Sequence, residues 1–280
     1  MTTRTRETIG AAPVRGRRGD RWAAIPWALL VPAFLGLAFL VVPLLGLLVR
    51  APWGTLLTRL GESGVRDALL LSLLCATVAT GISLVLGVPL AWLLARTRIP
   101  GLRFVRALIT VPLVLPPVVG GVALLLVLGR NGLLGRSLDA GFGITLPFTT
   151  AGVVVAETFV AMPFLIVSVE GALRAADRRY EEAAATLGAS RWTIFRRVTL
   201  PMVAPGVVAG ATMCWARALG EFGATITFAG NFPGQTQTMP LAVYLAMETD
   251  PQSAIVLSIV LLAVSIIVLA SLRDRWVASS

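Results

Sequence analysis

An all-α, polytopic membrane protein with six transmembrane helices is predicted by three features of the sequence. Of its 280 residues, 56% are hydrophobic and only 14% charged, whereas soluble proteins carry roughly a quarter charged residues. Mean hydropathy is +0.85, and the apolar residues gather into runs of about 20, the length a helix needs to cross a bilayer core. The basic residues, 24 in number and every one an arginine, flank these runs unevenly.

The spans follow in chain order. Residues 1–26 form a basic tail. Trp27 to Val49 is the first apolar run, interrupted only by Pro32 and Pro43. It is too long for the apolar part of a signal peptide, and no small-x-small cleavage site follows it, so it reads as an uncleaved span, 27–49. The others are Leu69 to Ala95, Ala107 to Leu128, Ala151 to Ala172, Met202 to Ala229 and Ser253 to Ser271, with a short end at 273–280. Met239 to Met247 is too short to cross and reads as an outer-surface helix. Six spans place both termini on one side.

Arginine placement says which side. Six lie in the N-terminal tail, four after the second span (Arg96, Arg98, Arg103, Arg106), six after the fourth and two (Arg273, Arg275) after the last, eighteen in all. The opposite loops hold five, and Arg217 lies inside the fifth span. Positive loops stay in the cytoplasm, so both ends read as cytoplasmic. The arginines border membrane segments, which points to lipid and not to nucleic acid.

Absences narrow the chemistry. The chain has no lysine and no histidine. A P-loop needs its lysine at the phosphates, and histidine-dependent triads and zinc motifs are excluded in the same way. Cys75 and Cys214 sit far apart in apolar stretches and suggest neither a disulfide nor a metal site. No catalytic residue and no resident metal or cofactor is expected.

The most informative segment is the loop 173–201. Glu181 and Glu182 open an alanine-rich helix former through Ala183 and Ala184, and Gly188 is placed to end it. Ser190 suits an N-cap for a second short helix from Arg191, with Trp192, Phe195 and Val198 spaced by three. Pro201 then opens the fifth span. Two short helices joined by a glycine form a docking surface for a partner, or alternatively a basic loop lying on lipid headgroups.

Ionisable groups inside a membrane are costly and need a reason. Arg217 and Glu221 lie inside the fifth span, four residues apart and therefore on one helix face. They form either a buried ion pair or part of a polar strip with Gly220, Phe222, Gly223 and Thr225 along a pathway. Glu170 lies near the cytoplasmic end, within reach of an arginine. Glu157 has no partner visible in the sequence. Pro112, Pro116 and Pro117 kink the third span, and a bent third span facing the fifth is either a gate or static packing.

The loop reads Glu182-Ala183-Ala184, three residues, Gly188, nine residues, Val198, one residue, Leu200-Pro201. This resembles the EAA signature of bacterial ABC importer permeases, with Val198 where isoleucine is usual. Ala216 to Thr225, together with Leu115-Pro116-Pro117-Val118-Val119-Gly120-Gly121, is similar to the molybdate permease group within the molybdate/sulfate branch of type I importers. The likeness extends over roughly 67–272.

The resemblance implies a MetI-like fold acting as a homodimer, with two ATPase subunits that bind ATP and Mg. An extracellular binding protein would deliver molybdate to the outer loops, around 129–150 and 230–252. It also implies that Glu181, Glu182, Ala183, Ala184, Gly188, Ser190 and Arg191 couple to the ATPase. Pro116, Pro117, Arg217, Gly220, Glu221, Phe222, Gly223 and Thr225 would line the pathway or gate. Sulfate or tungstate import is the nearest alternative. A secondary transporter using Glu157, Glu221 and Arg217 as a proton relay is a further one, and a structural membrane protein another.

Overall fold

The structure, a computed structural model, describes residues 27–97 and 99–277. The basic tail 1–26, Arg98 and the last three residues lie outside the described residues. In chain order the α-helices are α1 (Trp27–Val49), α2 (Leu56–Leu60), α3 (Ser63–Arg96), α4 (Leu102–Val114), α5 (Pro117–Leu128), α6 (Gly135–Phe142) and α7 (Thr150–Ala175). They continue with α8 (Arg179–Thr186), α9 (Arg191–Ile194), α10 (Leu200–Leu219), α11 (Gly223–Phe228), α12 (Met239–Thr249) and α13 (Pro251–Val277). A π-helical turn, Phe195–Thr199, joins α9 to α10.

The chain divides into two units, residues 1–49 and 50–280. In the first, α1 is apolar on every face and keeps Pro32 and Pro43 inside the helix. That sequence suits a helix whose solvent is lipid on all sides.

In the second unit α7 is the central helix, packed between α3 and α10. The interfaces combine small and aliphatic residues: Ala76, Ala79 and Ala91 on α3 meet Ala161, Leu165 and Val169 on α7, and Cys214 and Ala218 on α10. Lipid supplies no hydrophobic drive between helices, so close backbone approach does the work. Ser168 donates a hydrogen bond to the Gly206 carbonyl across the α7–α10 contact at 3.2 Å. Thr80 and Ser83, buried on α3, donate to carbonyls one turn back at 2.7 Å, which satisfies their hydroxyls without a partner helix. Both cysteines are buried and free.

The third and fifth apolar runs differ from continuous spans. Among the described residues five helices are long and apolar enough to cross a membrane, and α4 with α5 makes a sixth only as a pair bent by 117°. The cause is the Pro116-Pro117 pair. A residue before proline is driven out of the helical region, and both Leu115 and Pro116 are extended, with ψ 133° and 130°. The fifth run also stops early: α10 ends at Leu219 and α11 restarts at Gly223. The short segment after Met239 forms α12, with Met239 and Leu241 buried, packed on α3 and α13.

One polar tie closes the end of the bundle where α12 turns into α13. Arg59 of α2 pairs with Asp250 and also reaches Ser253, while Ser253 donates to Asp250 at 2.8 Å. These contacts, Arg59 foremost and then Ser253, hold the Asp250 carboxyl down from 3.8 to about 2.

A depressed carboxylate contributes stability above its unfolded pKa and loses it as pH falls through the folded one. The melting temperature of the wild-type chain should therefore exceed that of Asp250→Asn above about pH 4, and the difference should vanish towards pH 2. A gap constant across that range would contradict the assignment.

Glycine position predicts opposite signs for one substitution. A methyl on Gly81 of α3 meets open space, whereas on Gly206 of α10 it collides with the Ala172 methyl. Gly81→Ala should stabilise the chain in detergent by up to about 1 kcal/mol. Gly206→Ala should destabilise it by about 1–3 kcal/mol through overpacking. Thermal melts of the two variants check both signs.

Candidate functional site

Two places gather the residues singled out in the sequence: the loop between α7 and α10, and the paired breaks at α4/α5 and α10/α11.

In the loop, α8 ends as its residues predict. Gly188 adopts φ +80°, the left-handed conformation that glycine reaches without a Cβ penalty. Its N–H donates to Ala185, and the next N–H, of Ala189, donates to Ala184, so two carbonyls left over at the helix end are satisfied. Ser190 then caps α9, its Oγ accepting from the Thr193 N–H at 3.2 Å. The second helix is not a separate element. The segment Arg191–Leu219 is one continuous run of 29 residues, with the wide turn Phe195–Thr199 inside it. Pro201, at the second position of α10, has no N–H, and its ring would crowd the carbonyl four residues back. The turn just before it is the one that widens, and the Leu200 N–H reaches back five residues to Phe195.

The two glutamates at the start of α8 do different things. Glu181 Oε1 accepts from Arg96 at the end of α3 (2.9 Å) and from the Thr199 hydroxyl (2.8 Å). The Arg96 side chain is only 6% exposed and Thr199 is buried. Glu181 therefore clamps α8 to both the α3 end and the root of α10. Glu182 is exposed. A cavity of about 540 Å³ lies behind the clamp, between Trp92 and Arg96 on one side and Glu182 and Arg191 on the other. A second clamp ties the neighbouring helix ends: Glu170 of α7 receives Arg106 of α4 at 2.8 Å and Arg174 at 2.6 Å.

At the tip between α8 and α9, Leu187 is 88% exposed, beside exposed Ala183, Ser190 and Arg191 and half-buried Ala184. Sequence reasoning passed over Leu187, Arg96 and Thr199. Leu187 carried one available signal, an apolar side chain immediately before the helix-ending glycine.

At the second place the breaks interlock. A Cβ on Gly223 would come within 3.0 Å of Pro117 and of the Val118 nitrogen, and one on Gly121 within 2.7 Å of Thr227. The start of α11 thus lies directly on α5. Pro117 and Gly223 are brought together, while Pro116 is exposed.

Arg217 and Glu221 do pair, but not along a helix face, because α10 has ended before Glu221. Arg217 Nη1 stands 2.6 Å from Glu221 Oε2 as an ion pair, without hydrogen-bond alignment. The other oxygen, Oε1, accepts the Ala224 N–H at 2.7 Å. Glu221, 1% exposed, thereby serves one of the unpaired N–H groups at the start of α11. Gly220 closes α10, its N–H donating to Ala216. Phe222 packs against Tyr244 at 5.2 Å between centroids. Thr225 is buried, and its hydroxyl has no partner among the described residues. Glu157 of α7 is equally buried, with Oε2 unpartnered among the described residues.

Among the described residues no three His, Cys, Asp or Glu side chains gather as a metal site. What both places offer is mechanical: a clamped lever at one end of α10 and a jointed break at the other.

Comparison with known proteins bears on this arrangement. The chain is 47% identical over 251 residues to the molybdenum transport system permease protein ModB of Mycobacterium tuberculosis, covering 90% of this chain and 95% of the relative. It is 37% identical over 238 residues to the sulfate transport system permease protein CysT of Escherichia coli, covering 84% and 86%. The fold matches that of a bacterial alginate ABC transporter solved with a pentasaccharide-bound periplasmic protein. The TM-score is 0.72 at 16% identity, over 88% of this chain and 91% of that one. Residues 83–279 match the family model of binding-protein-dependent transport system inner membrane components. With clamp, tip and jointed breaks all inside that match, the chain belongs to the family of binding-protein-dependent transport system inner membrane components.

Proposed function

We propose that this chain is the membrane permease of an ABC importer that carries molybdate inward. The observation that carries the substrate is the 47% identity to a molybdenum permease over 90% of the chain, well above the likeness to the sulfate permease. ATP, with its Mg, is hydrolysed on two separate ATPase subunits. Two copies of the chain form the conduit, and an external binding protein delivers the oxyanion to the loops around 129–150 and 230–252. The arginine excess on the α8–α9 side supports a cytoplasmic loop and cytoplasmic termini.

The work enters at the tip. Glu182, Ala183, Ala184, Leu187 and Gly188 offer an exposed knob with small residues at its base, shaped for a cleft in the ATPase, with Ser190 and Arg191 at its edge. Glu181 prevents the knob from swinging freely, since moving α8 must carry Arg96 and Thr199 with it. The continuous helix from Arg191 to Leu219 is about 43 Å long, so displacement at the loop arrives at the Gly220–Phe222 joint on the far side of the bilayer core. There α11 and α5 move as a unit because Gly121 and Gly223 interlock them. Opening and closing of that joint, in alternation, is alternating access by rigid elements about a central route. Arg217 is balanced by Glu221, so the route presents no isolated charge to trap a dianion.

Glu181→Gln and Glu182→Gln separate clamp from knob. Glu181→Gln leaves Arg96 without its counter-charge and should lower stability by up to about 3 kcal/mol. In the assembled transporter it should let ATP hydrolysis continue while uptake of labelled molybdate into proteoliposomes falls at least tenfold. Glu182→Gln should leave the chain's own melt unchanged but weaken its hold on the ATPase subunit. Uptake driven by a proton gradient with no ATP present would overturn the importer reading. Equal competition by sulfate would overturn the substrate.

A further inference from the structure

Three arginines on the α9 side of the loop, Arg191, Arg196 and Arg197, stand outside all the ion pairs formed among the described residues. Arg96, Arg106 and Arg174, on neighbouring helix ends, are all paired with glutamate. The difference is local, because no acidic side chain follows Glu182 until Glu221.

Two cavities meet at this unpaired cluster and share Trp192 as a wall. One, of about 310 Å³, is lined by Trp192, Thr193, Arg196 and Arg197. The other, of about 250 Å³, is lined by Pro89, Trp92, Arg191, Trp192 and Phe195 and is almost wholly apolar. The wall is built by stacking. Trp192 lies on Phe195 at 5.7 Å, Phe195 meets Trp92 edge-on at 6.2 Å, and the Arg196 guanidinium sits 5.9 Å from the Trp192 ring centre. Despite these contacts Trp192 is 65% exposed, a large cost in water but not at a bilayer interface, where tryptophan concentrates.

Pro89 lies seven residues before Arg96, the last residue of α3, so the apolar slot reaches about 10 Å down the helix. Arg196 and Arg197 line the neighbouring cavity, which shares Trp192 with the slot.

We propose that the two cavities together hold one anionic phospholipid from the leaflet on the loop side, its phosphate against Arg196, Arg197 and Thr193 and an acyl chain in the slot between Pro89, Trp92 and Phe195. A free inorganic anion would use the cationic cavity and leave the apolar slot idle. Basic pockets at helix ends are the setting in which acidic headgroups bind. A lipid held here grips the wide turn at the root of α10, the point about which the loop moves, and so makes that pivot responsive to membrane composition. The inference stands independently of the substrate transported.

The test uses the full-length chain in detergent, offered phosphatidylglycerol or phosphatidylcholine with identical acyl chains, with bound lipid read by native mass spectrometry. Phosphatidylglycerol should be retained at least tenfold more tightly. Arg196→Gln/Arg197→Gln should reduce that affinity roughly 10- to 30-fold, about the effect of losing two surface cations. Phosphatidylglycerol carrying bromine on its acyl chain should quench more fluorescence in the wild type than in Trp192→Phe, a readout that does not depend on the arginine variants folding. Equal retention of both lipids, displacement by millimolar inorganic phosphate, or quenching identical in Trp192→Phe would each overturn the proposal. So would a double variant that keeps its lipid but loses the ATPase subunit, which would assign the arginines to a protein contact.

Discussion

Inside a bilayer every peptide N–H and carbonyl must find its partner within the protein, and the architecture of residues 50–280 follows from that constraint. Unbroken helices meet it by themselves, which is why α3 and α7 can form the bundle's centre, packed through alanines and aliphatic side chains such as Leu165, Ile166 and Val169. The two interrupted runs meet it only jointly. The extended residues Leu115 and Pro116 and the open turn at Gly220–Phe222 would each expose backbone to hydrocarbon if alone. Because Gly223 lies on Pro117 and Val118, and Gly121 on Ala224 and Thr227, each break is backed on one side by the helix that follows the other, with Pro116 itself left exposed. Side chains at either glycine would hold the two helices apart.

The same constraint explains a carboxylate where none would otherwise be tolerated. Starting α11 after a break leaves N–H groups with no carbonyl to bond. Glu221 gives one oxygen to the Ala224 N–H and places the other beside Arg217. The arginine is thus better understood as the counter-charge to a capping acid than as a binding site for an anion. A buried charge pair contributes little net stability, but removal of one member leaves the other stranded. The pair is therefore held in place by the break and the break by the pair.

Much of this was legible in residues that act locally. Runs of about 20 apolar residues announce spans, Gly188 and Ser190 carry their caps within three or four residues, and Pro116-Pro117 announces a bend. What was not legible depends on distance in the chain. Nothing in the sequence pairs Glu181 with Arg96, 85 residues away, or Arg59 with Asp250, 191 residues away. Arg96 in particular is one among many arginines when counted for topology, and only its burial separates it from the rest. The apolar run Met202 to Ala229 predicts one continuous fifth span. It breaks because the cover offered by α5 and the cap offered by Glu221 together favour the turn, and both are tertiary effects.

The π turn at Phe195–Thr199 ties these strands together. A helix meeting Pro201 in ordinary register would kink, and a kinked helix would absorb at its root whatever motion the loop supplies. Widening the turn by one residue accommodates the proline while the axis continues, so Arg191 to Leu219 remains one rod. The same widening sets Phe195 between Trp92 and Trp192 and leaves the Thr199 hydroxyl on Glu181. The clamp at the root of the rod is thus a consequence of one proline placed just inside a span, whereas the joint at its far end comes from α5 and Glu221. A loop with the same charges but no such proline would have no reason to form the turn that carries both contacts.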